Sequence, residues 1–317
     1  MDNRVGEPPH PTKPTVKARE SEEGAYLAPA MLDCLTIDVE DWFHILDSDA
    51  TPPMDAWEAM EPRVERNVER LLGLLNASGV RATFFWLGWV AERSRALLRE
   101  CQQAGHEIAS HGYAHVLAYQ VGRTAFQEDV CRGKGVLEDI LGQAVLGFKT
   151  AGFGVTQDAR WAFDVIRGAG HVYDASVFPA RRGHGGIPES ALGLYLIQTS
   201  SGPLVEIPAS VVQILGLRFC LFGGGYLRLA PKWLIRWGIN RLHAAGEPLI
   251  VYVHPREVDP DHPRLPLSLK RRLKCYVNLK STMPKLEWLC REYKFCTMHE
   301  LAVHVMRSRA LRCVHAT

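Results

Sequence analysis

Short apolar runs alternate with segments of helical periodicity along the chain from Leu32 onward. The predicted strands, which are apolar runs bounded by turn residues, lie at residues 35–37, 82–85, 106–110, 145–149, 171–175, 195–199, 204–207, 250–253 and 295–298. The predicted helices, in which apolar side chains recur every three or four residues, lie at residues 63–75, 91–104, 125–141, 158–168, 231–245 and 284–292. This alternation is typical of parallel βα architecture. We therefore predict an α/β fold in which about seven or eight βα units form a barrel.

Composition divides the 317 residues into three parts. Residues 1–30 are rich in proline and charge and contain no apolar run, which predicts a disordered leader. The folded domain is predicted over residues 31–305, and residues 306–317 are predicted to be a C-terminal tail. A hydrophobic content of 47% is sufficient for one large core.

Charge and the lengths of the apolar runs limit the partners of the chain. A net charge of +2 shows no strong polarity, so nucleic acid is not an expected partner. The first 30 residues lack the apolar stretch of a secretory signal, and no later run approaches the roughly 18 apolar residues of a membrane helix. The 8 cysteines form no C-x-x-C pair, which predicts free thiols in a reducing compartment. We therefore expect a cytoplasmic protein without an integral membrane segment.

A pair of histidines, His111 and His115, follows a predicted strand. Two imidazoles at this spacing can bind one metal ion, although they can equally be surface groups on one helical turn. An acidic cluster, Asp38, Glu40 and Asp41, follows another apolar strand, where its alternative role is to cap a helix or a turn. Zn²⁺ and related ions bind His nitrogen together with carboxylate oxygen, and catalytic sites keep one position open for water. The acidic cluster therefore favours a metal site.

Other polar side chains share this placement at the ends of predicted strands. The residues at or just past a strand end are Asp38, His111, Lys149, Asp174, Glu206 and His254. In a (β/α) barrel the carboxyl ends of the strands meet at one mouth. The shared placement predicts that these side chains gather in a single functional site.

Several segments resemble the motifs of a known family, the NodB-type polysaccharide deacetylases of carbohydrate esterase family four. The segments similar to its first, second, fourth and fifth motifs are residues 36–44, 110–115, 173–179 and 253–255. The segments similar to marks of the subgroup found with exosortase (PEP-CTERM) exopolysaccharide loci are residues 223–229, 276–279 and 285–287. The resemblance covers roughly residues 32–300 and implies the distorted (β/α) barrel of the NodB-homology type.

The resemblance also implies an activity, which is hydrolysis of the acetamide on an N-acetylated sugar with release of acetate. It implies a divalent metal ion, with Zn²⁺ as the expected ion, bound by His111, His115 and one carboxylate. Asp38 is then the base that takes a proton from water, and His254 is the acid that protonates the leaving amine. The expected substrate is an N-acetylated polysaccharide or lipid-linked oligosaccharide, which belongs to an exopolysaccharide or its cytoplasmic precursor.

The third metal ligand is open between Glu40 and Asp41, because Val39 stands where the family has a second aspartate. Strand alternation puts Glu40 on the same face as Asp38, whereas a turn that begins at Val39 presents Asp41 instead. We keep both carboxylates as candidates, with a slight preference for Glu40.

The third motif departs from the family pattern. The family has Arg, a small residue and Pro where this chain reads Lys149, Thr150 and Ala151. Lysine keeps the positive charge of the family's arginine, which is thought to orient the catalytic base, but it loses the planar two-pronged geometry of guanidinium. Reduced or altered activity is therefore expected.

Further side chains are candidates for contact with the sugar. Trp42 and His44 offer aromatic faces to a carbohydrate ring, although a Trp in a barrel loop is as often a packing residue. Asp174 and Ser176 either shape the groove or cap a turn. Arg182 belongs to a basic loop, which is either solvated or in contact with a phosphate or an acidic sugar.

Two other functions stay open at this stage. One is the hydrolysis of small non-sugar amides on the same fold, which the extended likeness in the carboxyl-terminal half disfavours. The other is a glycan-binding barrel that has lost turnover, for which Lys149 is the main reason.

Overall fold

The fold is described from a computed structural model that covers Met1 and residues 32–46, 48–182, 185–308 and 311–316. Apart from Met1, the leader predicted over residues 1–30 lies outside the described residues. From Leu32 onward the described residues belong to one compact unit.

Twelve strands occur in the described residues. They are β1 Asp33–Val39, β2 Thr83–Trp86, β3 Glu107–Ser110, β4 Gly147–Phe148, β5 Tyr173–Asp174, β6 Tyr195–Thr199, β7 Gly202–Glu206, β8 Val212–Ile214, β9 Leu217–Phe219, β10 Ile250–Val253, β11 Phe295–Cys296 and β12 Cys313–His315. The α-helices of the same residues are α1 Val64–Ser78, α2 Gly88–Arg93, α3 Arg95–Gln103, α4 Ala118–Leu141, α5 Ala162–Gly168, α6 Gly224–Leu229, α7 Lys232–Ala244, α8 Leu269–Tyr276, α9 Thr282–Glu292 and α10 Met298–Ser308. None of these helices combines the length and apolar character needed to cross a membrane.

One large sheet contains all of these strands except β8 and β9. Its order is β10-β1-β2-β3-β4-β5-β7-β6-β12, and β11 also pairs with β1. Every neighbouring pair is parallel except β6 and β7, and β8 and β9 form a separate antiparallel hairpin. The predicted α/β class with a mostly parallel sheet is confirmed. The predicted closure is not observed, since no pairing joins β12 to β10 in the part of the chain that the structure describes.

Buried apolar side chains explain why these segments form strands and helices. All seven residues of β1 are buried, as expected for a parallel strand that is covered on both faces. Helix α1 buries the apolar face that the periodicity predicts, and Gly79 ends it in the left-handed conformation at φ 62°. That conformation is accessible to glycine at little cost because it has no Cβ.

Some predictions of individual elements were wrong. The helix predicted at 91–104 is two helices, α2 and α3, which meet at Ser94. Strands β6 and β7, which were predicted as strands without a helix between them, form an antiparallel hairpin. Residues 313–315, which were predicted to be part of a tail, form β12 and extend the sheet beside β6.

The sheet order brings four strand ends together. Strand β1 lies between β10 and β2, and β3 connects β2 to β4. Because these pairings are parallel, the residues that follow β1, β3, β4 and β10 lie on the same edge of the sheet. This edge carries the acidic cluster, the histidine pair, Lys149 and His254.

Candidate functional site

Three buried side chains converge at this edge with ligand atoms suitable for a metal ion. Glu40, His111 and His115 each offer one nitrogen or oxygen, and these three atoms all lie within 4.8 Å of one another. The histidines lie in the loop between β3 and α4, not on one helical turn, which removes the surface interpretation of the pair. Two imidazoles and one carboxylate are a common donor set for catalytic zinc.

The surroundings of the three side chains fit a bound cation. The His111 Nδ1 atom lies 2.6 Å from the carbonyl oxygen of Lys149, and a hydrogen bond there leaves Nε2 available as a ligand. Burial lowers the pKa of His111 to about 4, which favours the neutral form that binds metals. The Glu40 Oε2 atom lies 2.6 Å from His115 Nε2 and has no other polar partner in the described residues. A cation between these atoms would satisfy both.

The loop that carries the histidines is shaped by Gly112 and Asp129. Gly112 has a φ of 77°, and a Cβ at this position would lie 2.3 Å from the Asp129 carboxylate. That carboxylate accepts hydrogen bonds from the backbone N–H groups of Tyr113 at 2.9 Å and Ala114 at 2.7 Å. Asp129, on α4, was not identified from the sequence. It holds the turn that brings His115 back toward His111.

The structure separates the two candidates for the third ligand. Glu40 reaches the histidine pair, whereas the Asp41 carboxylate accepts hydrogen bonds from the N–H groups of Trp42, Arg63 and Val64 at 2.7, 2.8 and 3.1 Å. Asp41 therefore caps the start of α1, which was its alternative role. We correct the assignment of Asp41 as a metal ligand.

Asp38 lies beside the histidine pair and is paired with Lys149. The Lys149 ammonium donates to both carboxylate oxygens of Asp38 at 2.7 Å, and both side chains are buried. Burial, which is the largest influence, raises the pKa of Asp38, but the charges of Lys149 and the neighbouring imidazoles outweigh it, and the pKa lies below its ordinary value. Asp38 is therefore a carboxylate at neutral pH.

Aromatic rings hold the Lys149 ammonium in position. Its nitrogen lies 4.7 Å from the ring centre of Phe153, 5.1 Å from that of Tyr252 and 5.4 Å from that of Phe85. Ring faces at these distances attract a cation, and more strongly where water is excluded. The lysine that replaces the family's arginine therefore lies in a cage that fixes its charge against Asp38.

His254 faces Asp38 and Glu40 from the end of β10. Its Nε2 atom lies 3.7 Å from Asp38 Oδ2 and 3.6 Å from Glu40 Oε1, and its Nδ1 atom lies 2.6 Å from Glu257 Oε1. Burial raises the pKa of Glu257, but the charge of Arg228 and the hydrogen bond from His254 outweigh it and lower the pKa to about 2. The Glu257 carboxylate on Nδ1 therefore fixes the orientation of the ring, with Nε2 facing Asp38 and Glu40.

Three charged residues of this site, Arg228, Arg256 and Glu257, were not identified from the sequence. Arg228, on α6, forms a buried ion pair with Glu257. Arg256 donates to Glu40 Oε1 at 2.6 Å, whereas His115 contacts the other oxygen, Oε2. Arg256 therefore binds the carboxylate of this candidate metal ligand at the oxygen that His115 does not contact. The sequence offered only one signal for Arg256 and Glu257, which is their place directly after His254 and Pro255.

A cavity opens above these groups. Asp38, His111, His115 and His254 line it, so three of the six strand-end side chains predicted to gather in one site meet here, whereas Lys149, Asp174 and Glu206 do not line the cavity. Two of the predicted sugar-contacting residues also line it, namely His44 and Arg182. The Arg182 guanidinium stacks at 4.9 Å over Phe153 and 4.5 Å over Phe178. The His44 Nδ1 atom accepts a hydrogen bond from Asp41 N–H at 2.8 Å, and burial lowers its pKa well below the ordinary value.

The other predicted sugar-contacting residues do not line this cavity. Trp42 is only 5% exposed, and its indole N–H donates to the Glu61 carbonyl at 3.0 Å, so it is a packing residue. The Ser176 hydroxyl donates to Asp174 at 2.5 Å and accepts from Thr150 N–H at 2.8 Å. Ser176 thus binds the backbone N–H next to Lys149, and Asp174 holds Ser176 in place. The predicted contact of these two residues with substrate is therefore corrected.

Asp174 belongs to a buried pair of acids with Glu206. Both side chains are fully buried at the ends of β5 and β7. Burial raises the pKa of Asp174 to about 6, and burial together with the nearby Asp174 raises that of Glu206 well above its ordinary value. Two carboxyl groups this close are stable when they share a proton, since two buried like charges repel. The pair is therefore a structural element beneath the site.

Two segments of the chain match known family models. Residues 55–164 match the model of the polysaccharide deacetylase family, and residues 175–303 match the model of a domain of unknown function, DUF3473. A search of curated proteins gave no match. The chain thus carries a polysaccharide deacetylase domain, which indicates a hydrolase of the deacetylase class. The matched segment includes the histidine pair and Lys149 but not Asp38, Glu40 or His254.

Solved structures share the fold. A Mycobacterium smegmatis protein assigned to the polysaccharide deacetylases has 21% identity and a TM-score of 0.62, over 90% of this chain and 95% of that one. A Pseudomonas aeruginosa PAO1 protein with the same assignment has 18% identity and a TM-score of 0.55, over 87% and 91%. The allantoinase PuuE has 17% identity and a TM-score of 0.55, over 89% and 92%. At these identities the likeness shows a common fold.

Proposed function

We propose that this protein is a metal-dependent N-deacetylase that hydrolyses the acetamide of an N-acetylated sugar. Water adds to the amide carbonyl carbon, the C–N bond breaks, and the products are acetate and a sugar with a free amine. The observation that carries the proposal is the arrangement of Asp38, the three candidate ligands and His254 around one cavity.

Glu40, His111 and His115 are the residues that would hold the metal ion. A divalent ion bound there supplies Lewis-acid polarisation of the acetyl carbonyl and lowers the pKa of a water molecule. Zn²⁺ is the ion we expect, although sites of two imidazoles and a carboxylate also accept Co²⁺ and Ni²⁺. Support for a bound cation comes from Glu40 Oε2, whose one polar neighbour in the described residues is the Nε2 atom of His115, another candidate ligand.

Asp38 is the proposed general base. Its carboxylate is ionised, lines the cavity and lies next to the candidate ligands, so it can accept the proton of the attacking water at Oδ2. Lys149 holds the carboxylate in one orientation through both oxygens. A base at this position contributes roughly 10²- to 10⁴-fold to the rate.

His254 is the proposed general acid. Its Nε2 atom faces the cavity across from Asp38, and its Nδ1 atom is bound to the Glu257 carboxylate. A protonated imidazole in this position can donate the Nε2 proton to the leaving amine, and Glu257 stabilises that charged form. After product release, Asp38 gives the proton that it accepted from water to the solvent, and His254 takes up a proton from the solvent. Both groups then have their starting protonation states.

The substrate we propose is an N-acetylated polysaccharide or a lipid-linked oligosaccharide, which belongs to an exopolysaccharide or its cytoplasmic precursor. Support comes from the likeness of three carboxyl-terminal segments to the exosortase-associated subgroup and from the polysaccharide deacetylase match. His44 and Arg182 are the proposed contacts with the sugar, since both line the cavity. The cytoplasm is the compartment that this substrate implies.

The experiment that tests the proposal is acetate release from N-acetylglucosamine oligomers. Purified protein is stripped with a chelator and assayed with and without added Zn²⁺, while bound metal is measured on the same sample. We expect release that depends on the ion and one bound ion per chain. Bound metal without release from any N-acetylated glycan would contradict the activity, and neither metal nor release would favour a glycan-binding protein without turnover.

A further inference from the structure

The region from α6 to α8 exposes large apolar side chains next to basic ones. The exposed apolar residues of this region include Leu229, Trp233, Leu269 and Leu273, and we call these four, with the basic residues beside them, the apolar-basic surface. Leu269 is 82% exposed and Trp233 71%. Soluble proteins rarely expose so many large apolar side chains in one region without a partner.

Two stretches of this region contain basic residues but no acidic ones. Residues 207–246 and 262–286 contain 12 of the 37 Lys and Arg residues of the chain and none of its 35 Asp and Glu residues. Helix α8 shows the pattern most clearly, since Leu269 and Leu273 share one face and the exposed Lys270 and Arg272 lie to either side of that face. Arg228 is paired with Glu257 and Arg236 with Glu292, which lie outside these stretches, so the positive charge of the surface rests on the other basic residues.

The apolar-basic surface is built from rigidly connected elements. The Arg228 guanidinium, on α6, donates to the carbonyls of Lys274 and Cys275 on α8 at 2.8 and 3.1 Å. The Lys285 ammonium, on α9, donates to three carbonyls at the end of α6, from Leu227, Arg228 and Ala230, at 2.7 to 2.8 Å. The leucines are therefore displayed on a fixed surface.

We propose that the apolar-basic surface docks on an anionic lipid bilayer. Leucine and tryptophan side chains can enter the boundary between head groups and acyl chains, and lysine and arginine bind the anionic head groups. Tryptophan is favoured at this boundary, where one end of its ring system meets water. A nucleic acid would match the charge but not the leucines, and an apolar protein groove would match the leucines but not the charge.

The same surface borders the mouth of the catalytic cavity. Tyr226 on α6 and Lys274 on α8 line the cavity, and each belongs to a helix of the apolar-basic surface. Docking therefore brings the cavity to the level of the lipid head groups. The docking itself does not depend on the proposed deacetylation, since the surface residues are separate from Asp38 and the candidate ligands.

Vesicle sedimentation with the full chain tests this inference. We expect binding to vesicles of phosphatidylcholine with phosphatidylglycerol at low salt, much weaker binding to phosphatidylcholine alone, and weakening with added salt. The double variant Lys270→Gln/Arg272→Gln should lose tenfold or more in vesicle affinity, since each basic residue near an anionic surface contributes about 5-fold. The control Arg123→Gln/Lys294→Gln, with exposed basic residues elsewhere, should bind as before.

The apolar contribution is tested separately. Leu269→Gln/Leu273→Gln should weaken vesicle binding severalfold, whereas Met54→Gln/Met306→Gln, which changes exposed apolar residues elsewhere, should not. The fluorescence of Trp233 should shift to the blue on binding, and Trp233→Phe should reduce the shift. Absence of binding at low salt, or equal binding by all variants, would overturn the inference. A dimer that Leu269→Gln/Leu273→Gln dissociates, without vesicle binding, would show that a second copy covers the surface instead.

Discussion

The ammonium nitrogen of Lys149 lies 2.7 Å from each of the two carboxylate oxygens of Asp38. The sequence predicted that lysine would lose the two-pronged contact of the arginine found in the family. In the structure a single nitrogen reaches both oxygens, because the rings of Phe85, Phe153 and Tyr252 surround the ammonium and the strand end of β4 directs it at Asp38. The exchange therefore keeps the contact and changes the group that makes it.

Lys149→Met tests this contact. The variant places an apolar side chain of similar length in the ring cage and leaves Asp38 as a buried charge without its cation, so the pKa of Asp38 should rise. We expect acetate release at neutral pH to fall about 100-fold or more, because a base must be ionised to act. Lys149→Arg should stay within about tenfold of the native rate, and the surface change Lys294→Met should have no effect. A native rate for Lys149→Met would show that the ion pair is dispensable.

Asp38→Asn and His111→Ala separate catalysis from metal binding. Asn keeps the size of the side chain but cannot accept a proton at neutral pH, so acetate release should fall by roughly 10²- to 10⁴-fold while the bound metal remains. His111→Ala removes one of three candidate ligands and should remove the metal as well. Metal content and rate are measured on the same samples, with the exposed Asp49→Asn as the control. The base assignment fails if Asp38→Asn keeps full activity.

Arg256→Gln tests the residue behind the carboxylate ligand. The Arg256 guanidinium holds Glu40 Oε1 at 2.6 Å, which leaves Oε2 directed at His115. Groups that orient a ligand typically change metal affinity by about 10- to 100-fold, so we expect a loss in this range. Competition with a chelator of known affinity measures it, and the exposed Arg291→Gln is the control. An unchanged affinity would mean that Arg256 does not position Glu40.

Glu257→Gln tests the support of the proposed acid. The Glu257 carboxylate is ionised at all working pH values, and glutamine keeps its shape but not its charge. We expect acetate release to fall about tenfold or more with metal affinity unchanged, since His254 loses the negative charge that stabilises its protonated form. Arg228 also loses its partner, so thermal unfolding is measured alongside. The exposed Glu287→Gln is the control, and equal rates for both variants would contradict this role.

The buried pair of Asp174 and Glu206 predicts a pH dependence of stability. The pKa of Asp174 is raised to about 6 in the folded protein, above its ordinary value, so the folded state binds more protons between pH 4 and 6. The free energy of unfolding from this group should therefore fall as pH rises through this window, by up to about 1.4 kcal/mol per pH unit. In Asp174→Asn, which mimics the protonated acid, denaturant unfolding should show a smaller decline, and the exposed Glu69→Gln should follow the native curve. A parallel decline in Asp174→Asn would refute the shared proton.

The sequence was sufficient for the groups at the strand ends. Buried parallel strands are continuous apolar runs, so their carboxyl ends are visible, and Asp38, His111 and His254 could be placed at one mouth from this pattern. Arg256 and Glu257 could not be recognised, because charged residues after a strand are also common at the surface. Only their contacts with Glu40 and Arg228, which are distant in sequence, reveal what they do.

Packing explains the predictions that were wrong. Trp42 and Asp174 looked like groove residues because both stand in motif-like segments, yet the space around each is filled by residues from other elements. The antiparallel direction of β6 and β7 was not predicted, because the short turn at Thr199 to Gly202 has no periodic signal of its own. Alternation reports burial, but it does not report strand direction.

The position of β1 has a consequence for how the chain is made. Strand β1 pairs with β2 on one side, but its other neighbour is β10, with Cys34 opposite Ile250. At ribosomal rates of about 5 to 20 residues per second, β10 is synthesised on the order of 10 s or more after β1, so one edge of β1 stays unpaired for that time. An apolar strand with an open edge is a template for aggregation during that interval. When the protein is produced in a heterologous host at a slow synthesis rate, co-expression of a chaperone that covers the edge of β1 until β10 is made should therefore reduce aggregation.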